Sequence, residues 1–186
     1  MKIKERKLRH YFEKGAIYFV TSVTKDRKEI FKNTSAAQFL VITIAYHKYI
    51  LNFSLFGYVV MSEHFHLLLQ PDEKYPLPKI MNYIKGNFAR KYNEFLNPLL
   101  EQNDGSRPLR VGYDVGMEVK HVWQKEYYES VIRDEDDFIE KLNYIHNNPV
   151  KRGLVDSPEK YEFSSYYQYF GERRNSVQIP IDKILL

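Results

Sequence analysis

The chain has 186 residues, 44% apolar and 28% charged, with a formal net charge of +4, 16 tyrosines and no cysteine. Such a length supports one domain with a substantial core, and the apolar content excludes wholesale disorder. Disulfides and thiolate zinc sites are excluded, no apolar run approaches the roughly 18 residues of a membrane helix, and the basic start lacks the apolar stretch of a secretory signal. A cytoplasmic protein is expected. Basic charge mixed with aromatic side chains suits single-stranded nucleic acid, where bases stack and phosphates need neutralising, although tyrosines equally fill cores.

In chain order, residues 1–14 form a basic arm carrying Lys4, Arg6, Lys7 and Arg9. Strand formers over 16–24 predict a first strand, followed by a polar turn over 25–28. Ser35 is the expected N-cap of a well-buried helix over 36–48, with Phe39, Leu40, Ile42, Ile44 and His47 inward. Residues 51–60 and 64–70 read as a hairpin that turns at Ser62-Glu63 and ends at Pro71. Pro78 suits the first turn of a helix over 78–96, whose Ile80, Tyr83, Ile84, Phe88 and Phe95 recur at helical spacing. Gly86 inside it suggests a close approach or a packing need.

Periodicity fails over 97–118, a long loop made locally basic by Arg107 and Arg110. Residues 122–131 read as a strand, and Asp134 opens a helix with the core stripe Phe138, Leu142 and Ile145, expected to end before Pro149. The expected organisation is the arm (1–14), a main domain (15–153) and a C-terminal appendage packed on it (154–186), in which 177–186 adds a short strand. This order fits an α+β, two-layer, ferredoxin-like antiparallel sheet covered by helices.

Two features carry chemistry. His64 and His66 stand two apart at the start of a strand, so their imidazoles share one face, roughly 7 Å apart along the chain. They are either polar residues on a solvated sheet face or two ligands of one ion. Tyr144 and Asn148 stand four apart on one helix face, with Cβ atoms about 5–6 Å apart. If that helix crosses the histidine face, two imidazoles and one amide oxygen suit Mg²⁺ or Mn²⁺ with open positions for phosphate oxygens. A phenol is a weak nucleophile at neutral pH, and a nearby cation favours its phenolate while polarising a phosphodiester. By residue type alone Tyr127, Tyr128, Tyr161, Tyr166 and Tyr167 compete with Tyr144.

The run Tyr58-Val59-Val60-Met61-Ser62-Glu63-His64-Phe65-His66-Leu67-Leu68 resembles the HUH motif of single-tyrosine transposases that act on single-stranded DNA. With Val122-Trp123-Gln124, Ile132-Arg133-Asp134, Tyr144 to Lys151 and Phe163-Ser164-Ser165, it is similar to the REP-associated tyrosine transposase branch of the IS200-like family. The resemblance implies His64 and His66 as ligands of Mg²⁺ or Mn²⁺, Tyr144 as nucleophile and Asn148 at the position of a polar third ligand. It further implies nicking and rejoining of DNA beside REP-like hairpins through a 5′-phosphotyrosine, and association with the nucleoid when bound. Glu63 departs from the family's commoner Asn, and the 97–118 loop is longer than in compact relatives. Candidate DNA contacts are Arg6, Lys7, Arg9, Lys85, Arg90, Lys91, Arg107, Arg110, Lys151 and Arg152.

Two other classes compete. A histidine-triad nucleotide hydrolase needs another histidine where Leu68 stands. A catalytically inactive hairpin-binding descendant of a transposase would keep the same residues. The sequence leaves open a monomer with its tyrosine over its own histidines or a homodimer with the site shared between chains.

Overall fold

The computed structural model describes residues 14–96, 121–171 and 178–183. Lys4, Arg6, Lys7 and Arg9 of the arm, Arg107 and Arg110 with the 97–118 loop, and the Phe95 side chain lie outside the described residues. The elements run β1 (Tyr18–Val23), α1 (Thr34–Leu51), β2 (Ser54–Val60), β3 (His64–Gln70), α2 (Leu77–Lys91), β4 (Tyr128–Val131), α3 (Glu135–Lys151) and the short α4 (Tyr166–Phe170). Four strands form one sheet in the order β2-β3-β1-β4, and every pairing is antiparallel. This is the expected ferredoxin-like α+β arrangement.

Strand alternation divides the core in two. Tyr18, Val20, Phe65, Leu67 and Leu69 point to the face covered by α1 and α2, where they bury Leu40, Ile44, Ile80, Ile84 and Phe88. Phe19, Val59 and Leu68 point to the opposite face, where Phe138, Leu142 and Ile145 of α3 meet them. Burying each large side chain of that stripe contributes about 1.5–3 kcal/mol. A bulge between Leu55 and Gly57 shifts the register of β2, and Gly57 lies under α3, where a Cβ would come 2.8 Å from Leu142 Cδ1.

Local chemistry moves several expected boundaries. Asn33, not Ser35, caps α1, its side chain accepting from the Ala36 N–H. The helix runs on to Leu51 because Asn52 supplies the left-handed stop (φ 52°), so β2 begins at Ser54. Ile42 and Tyr83 are 47% and 46% exposed rather than core residues, because the sheet covers only one stripe of each helix. Only Tyr128–Val131 of the expected 122–131 strand pairs regularly, with Trp123 making an isolated bridge to Thr24. α3 continues through Pro149. A proline in the last turn removes a single helical bond, and Leu154 N still donates to Pro149 O at 2.9 Å. No strand forms among the described residues 178–183. A Cβ on Gly86 would meet nothing within 4 Å, so no close approach requires that glycine.

The segment after α3 seals the free edge of β2. Val60 N donates to Phe163 O (2.9 Å), Ser165 N to Tyr58 O (3.0 Å) and Asp182 N to Leu55 O (2.7 Å), while Tyr169 Oη donates to Phe56 O (2.6 Å). An edge strand left bare would be a template for wrong pairing. Ser165 is the hub: its Oγ accepts from Tyr58 N at 3.0 Å and lies 2.9 Å from His146 Nε2 on α3. Burial lowers His146 to about 4 from its ordinary 6.5.

Gly86→Ala should raise stability by about 0.5–1 kcal/mol, measured as an upward shift of the urea midpoint. Ser165→Ala should cost about 2 kcal/mol, because it strands a buried N–H and a buried imidazole together. His146 also predicts acid sensitivity. Its folded value lies below its unfolded one, so the unfolded chain takes up the proton first and stability falls as pH drops from 6.5 towards 4. The cost of His146→Gln at pH 7 should therefore shrink by about 2 kcal/mol at pH 5, and equal costs at both values would refute the assignment.

Candidate active site

The register of the sheet lines up the site before any helix is added. His66 pairs with Val59 on one side and with Thr21 on the other, and Thr21 pairs with Tyr128. Cross-strand partners share a face, so these four residues form one row beneath α3. His64, opposite Val23, extends the row's neighbour. From above, α3 brings Tyr144, Asn148 and Lys151, spaced so that all three look down on the row. The cleft between them has a volume of about 500 Å³ and is also lined by Arg27 and Arg152.

His64 and His66 are 6% and 3% exposed, and their Nε2 atoms are 3.1 Å apart. Burial holds His66 down at about 3, with His64 and Arg152 adding to the effect. Burial also lowers His64, against the opposing pull of Glu63. Both rings are thus neutral at pH 7, the form that ligates metals. Glu63 Oε1 stands 3.1 Å from His64 Nδ1. The pair is not aligned as a hydrogen bond, since His64 Nδ1 is buried with no hydrogen-bond partner, but the adjacent negative charge favours the proton on Nδ1 and a lone pair on Nε2. His66 Nδ1 has the Thr21 hydroxyl at 2.8 Å, which can donate or accept, so His66 can present either a proton or a lone pair from Nε2.

The donor set fits a divalent cation. Two ligand atoms at right angles around an ion with bonds of about 2.1 Å lie about 3.0 Å apart, close to the observed separation of the two Nε2 atoms. Asn148 Nδ2 is 3.2 Å from His66 Nε2, while its Oδ1 is buried with no partner. Exchanging amide oxygen and nitrogen by a half-turn of the side chain aims that oxygen at the histidines. Among the described residues no three His, Cys, Asp or Glu side chains converge. A cation here would therefore keep positions open for oxygens from outside the chain.

Tyr144 is 39% exposed. Its ring centroid lies 5.3 Å from that of His66 and 5.8 Å from that of Phe19, edge-on to both, and Lys151 Nζ is 5.4 Å from its ring. Of the competing tyrosines only Tyr128 also lines the cleft. Tyr127 is buried, with burial and Glu129 pushing its phenol well up. Tyr161 donates to Val60 O at 2.7 Å, and burial pushes it up to about 12. Tyr166 and Tyr167 lie in α4.

Of the candidate DNA contacts, Lys151 and Arg152 reach the cleft. Lys85, Arg90 and Lys91 stand on α2, across the sheet from it. Lys85 Nζ donates to Gln124 O at 3.0 Å and Lys91 pairs with Glu94 at 3.2 Å. Sequence reasoning overlooked Thr21, Val23 and Arg27. The first two follow from strand parity once the pairing of β1 with β3 is known. Arg27 carried no signal, since it reaches the cleft through consecutive positive φ angles at Asp26 (56°) and itself (51°).

Comparison with known proteins places the chain in a family. The family described as Transposase IS200 like matches residues 13–148. A Haemophilus influenzae protein assigned to the REP-associated tyrosine transposases is 27% identical over 86% of this chain and 85% of its own. The REP-associated tyrosine transposase of Escherichia coli K12 is 24% identical over 86% of this chain and 82% of its own. A solved REP-associated tyrosine transposase bound to a REP hairpin superposes with a TM-score of 0.66 at 24% identity, covering 88% of this chain and 84% of the other. The chain belongs to the IS200-like transposase family, and two of its relatives are named as REP-associated tyrosine transposases.

Proposed function

We propose that this protein cleaves and rejoins single-stranded DNA beside REP-like hairpins, with Tyr144 as nucleophile and His64, His66 and Asn148 as ligands of Mg²⁺ or Mn²⁺. The observation that carries the reading is the convergence of these four side chains in one cleft of one chain. The relative solved with a REP hairpin supports hairpin DNA as the ligand class.

When bound, a divalent cation would polarise the phosphodiester and favour the phenolate. Tyr144 Oη attacks phosphorus, a phosphotyrosine bond forms, and the bond to the 3′-oxygen breaks, releasing a 3′-hydroxyl. Attack by a second 3′-hydroxyl reverses the step and joins a new strand, so no nucleotide cofactor is consumed. Phe19 and His66 hold the Tyr144 ring edge-on, and Lys151 offers positive charge beside it. Thr21 orients the His66 imidazole by a hydrogen bond, as partners of metal-bound histidines do, and Glu63 places a negative charge 3.1 Å from His64 Nδ1. Tyr144 stands over the histidines of its own chain, which supports a site built from one chain rather than one shared between two.

A REP-like hairpin oligonucleotide incubated with Mn²⁺ should give a covalent adduct on a denaturing gel. Tyr144→Phe should abolish it and Tyr128→Phe should retain it; the reverse pattern would move the nucleophile to β4. His66→Ala should lower adduct formation at least a hundredfold. A mixture of His64→Ala and Tyr144→Phe proteins should recover no activity, whereas recovery would show a site shared between chains. Hairpin binding that persists in EDTA with no adduct under either ion would instead identify an inactive DNA-binding descendant.

A further inference from the structure

Glu63 is almost enclosed, with its side chain 13% exposed, and its Oε1 gathers three cationic or donor groups. Arg152 Nη2 is 2.7 Å away, Arg27 Nη1 3.3 Å and His64 Nδ1 3.1 Å. One carboxylate oxygen therefore ties two guanidiniums to the back of a candidate ligand. The guanidiniums remain open on their other side, at 61% exposure for Arg27 and 52% for Arg152. Two positive charges against one negative leave this cluster with a net charge of +1.

Three facts make this more than a surface ion pair. Isolated exposed pairs contribute little to stability, yet the backbone adopts two successive left-handed conformations at Asp26 and Arg27 to bring Arg27 here. Such conformations persist where the surroundings enforce them and concentrate at functional sites. Next, a second cleft of about 510 Å³, lined by Met61, Ser62 and Leu154 among others, adjoins the histidine cleft. Finally, Arg27 and Arg152 are the two residues that line both clefts, so the guanidinium pair forms their common wall. A strand leaving the histidine cleft on this side must cross that wall.

We propose that Glu63 is a positioning residue that holds Arg27 and Arg152 as a ready-made clamp for a backbone phosphate next to the one under attack, while its charge favours the His64 tautomer with the proton on Nδ1. The inference rests on the functional reading above and adds to it the path of the strand. Planar guanidiniums suit phosphate oxygens because two parallel N–H groups match them. Glu63 keeps both forks aimed without a loss of freedom at the moment of binding, and its charge sets how strongly they attract DNA.

The test uses the full chain and two binding measurements. Anisotropy of a fluorescent hairpin oligonucleotide with a single-stranded tail, in EDTA from 50 to 200 mM KCl, reports the clamp. Calorimetric titration of DNA-free protein with Mn²⁺ reports the tautomer. Arg27→Ala and Arg152→Ala should each reduce the log–log salt slope by about 0.7, with Arg27→Lys and Arg152→Lys retaining it. Lys79→Ala, a matched charge loss on α2 across the sheet, should leave the slope unchanged. Glu63→Gln should act in opposite directions, tightening oligonucleotide binding by about two- to fivefold and weakening Mn²⁺ by about ten- to a hundredfold. A merely structural Glu63 would weaken both. The clamp is overturned if the arginine variants match Lys79→Ala while the wild type binds, and the tautomer role if Glu63→Gln leaves Mn²⁺ affinity unchanged. A wild-type protein that binds no oligonucleotide would overturn the functional reading and the clamp together.

Discussion

The docking of α3 on the sheet is the interaction on which everything else depends. Phe138, Leu142 and Ile145 pack against Phe19, Val59 and Leu68, and the same helix carries Tyr144 and Asn148 on an adjacent stripe. Apolar burial therefore sets the height and rotation of the catalytic candidates. Gly57 lets the contact close, because a side chain there would press on Leu142. A shift of the helix by a fraction of an ångström would move Asn148 and Tyr144 relative to the histidines, since one rigid element bears both the core stripe and the chemistry.

Burial also decides the protonation of the site. The two imidazoles are buried beneath the helix, where charging them is costly, so they stay neutral and their nitrogens remain available. Two nitrogens held 3.1 Å apart need either a shared proton or a cation between them. Thr21, with a hydroxyl that both donates and accepts, permits either state without moving the backbone. Glu63 acts on His64 through its charge rather than through an aligned hydrogen bond, so the two histidines are inequivalent.

The C-terminal segment serves the same sheet from its edge. The backbone groups of β2 from Leu55 to Val60 find partners in residues 161–182. His146 joins that seal to α3 through Ser165. The Phe163-Ser164-Ser165 block is thus explained by backbone hydrogen bonding, away from the phosphodiester chemistry. Lys85 is a parallel case, a cation directed to the carbonyls of Gln124 and Lys125 rather than into the cleft.

Periodicity and composition alone determined the α+β class, the hairpin bearing His64 and His66, and the stripe Phe138, Leu142 and Ile145, because strand parity and helical spacing are local properties of the chain. The pairing of Tyr144 with Asn148 on one face followed from the same spacing. Helix limits were less legible: Asn33 and Asn52 outrank their neighbours as caps only when the backbone angles around them are known. What tertiary structure alone decided is which faces meet. Nothing in the spacing says that α3 covers the histidine face, that Thr21 backs His66, or that Arg27 swings through a left-handed turn to share Glu63 with Arg152. Those contacts join residues 27, 63 and 152, and long-range geometry of this kind is set by the packing of whole elements rather than by any neighbouring residues.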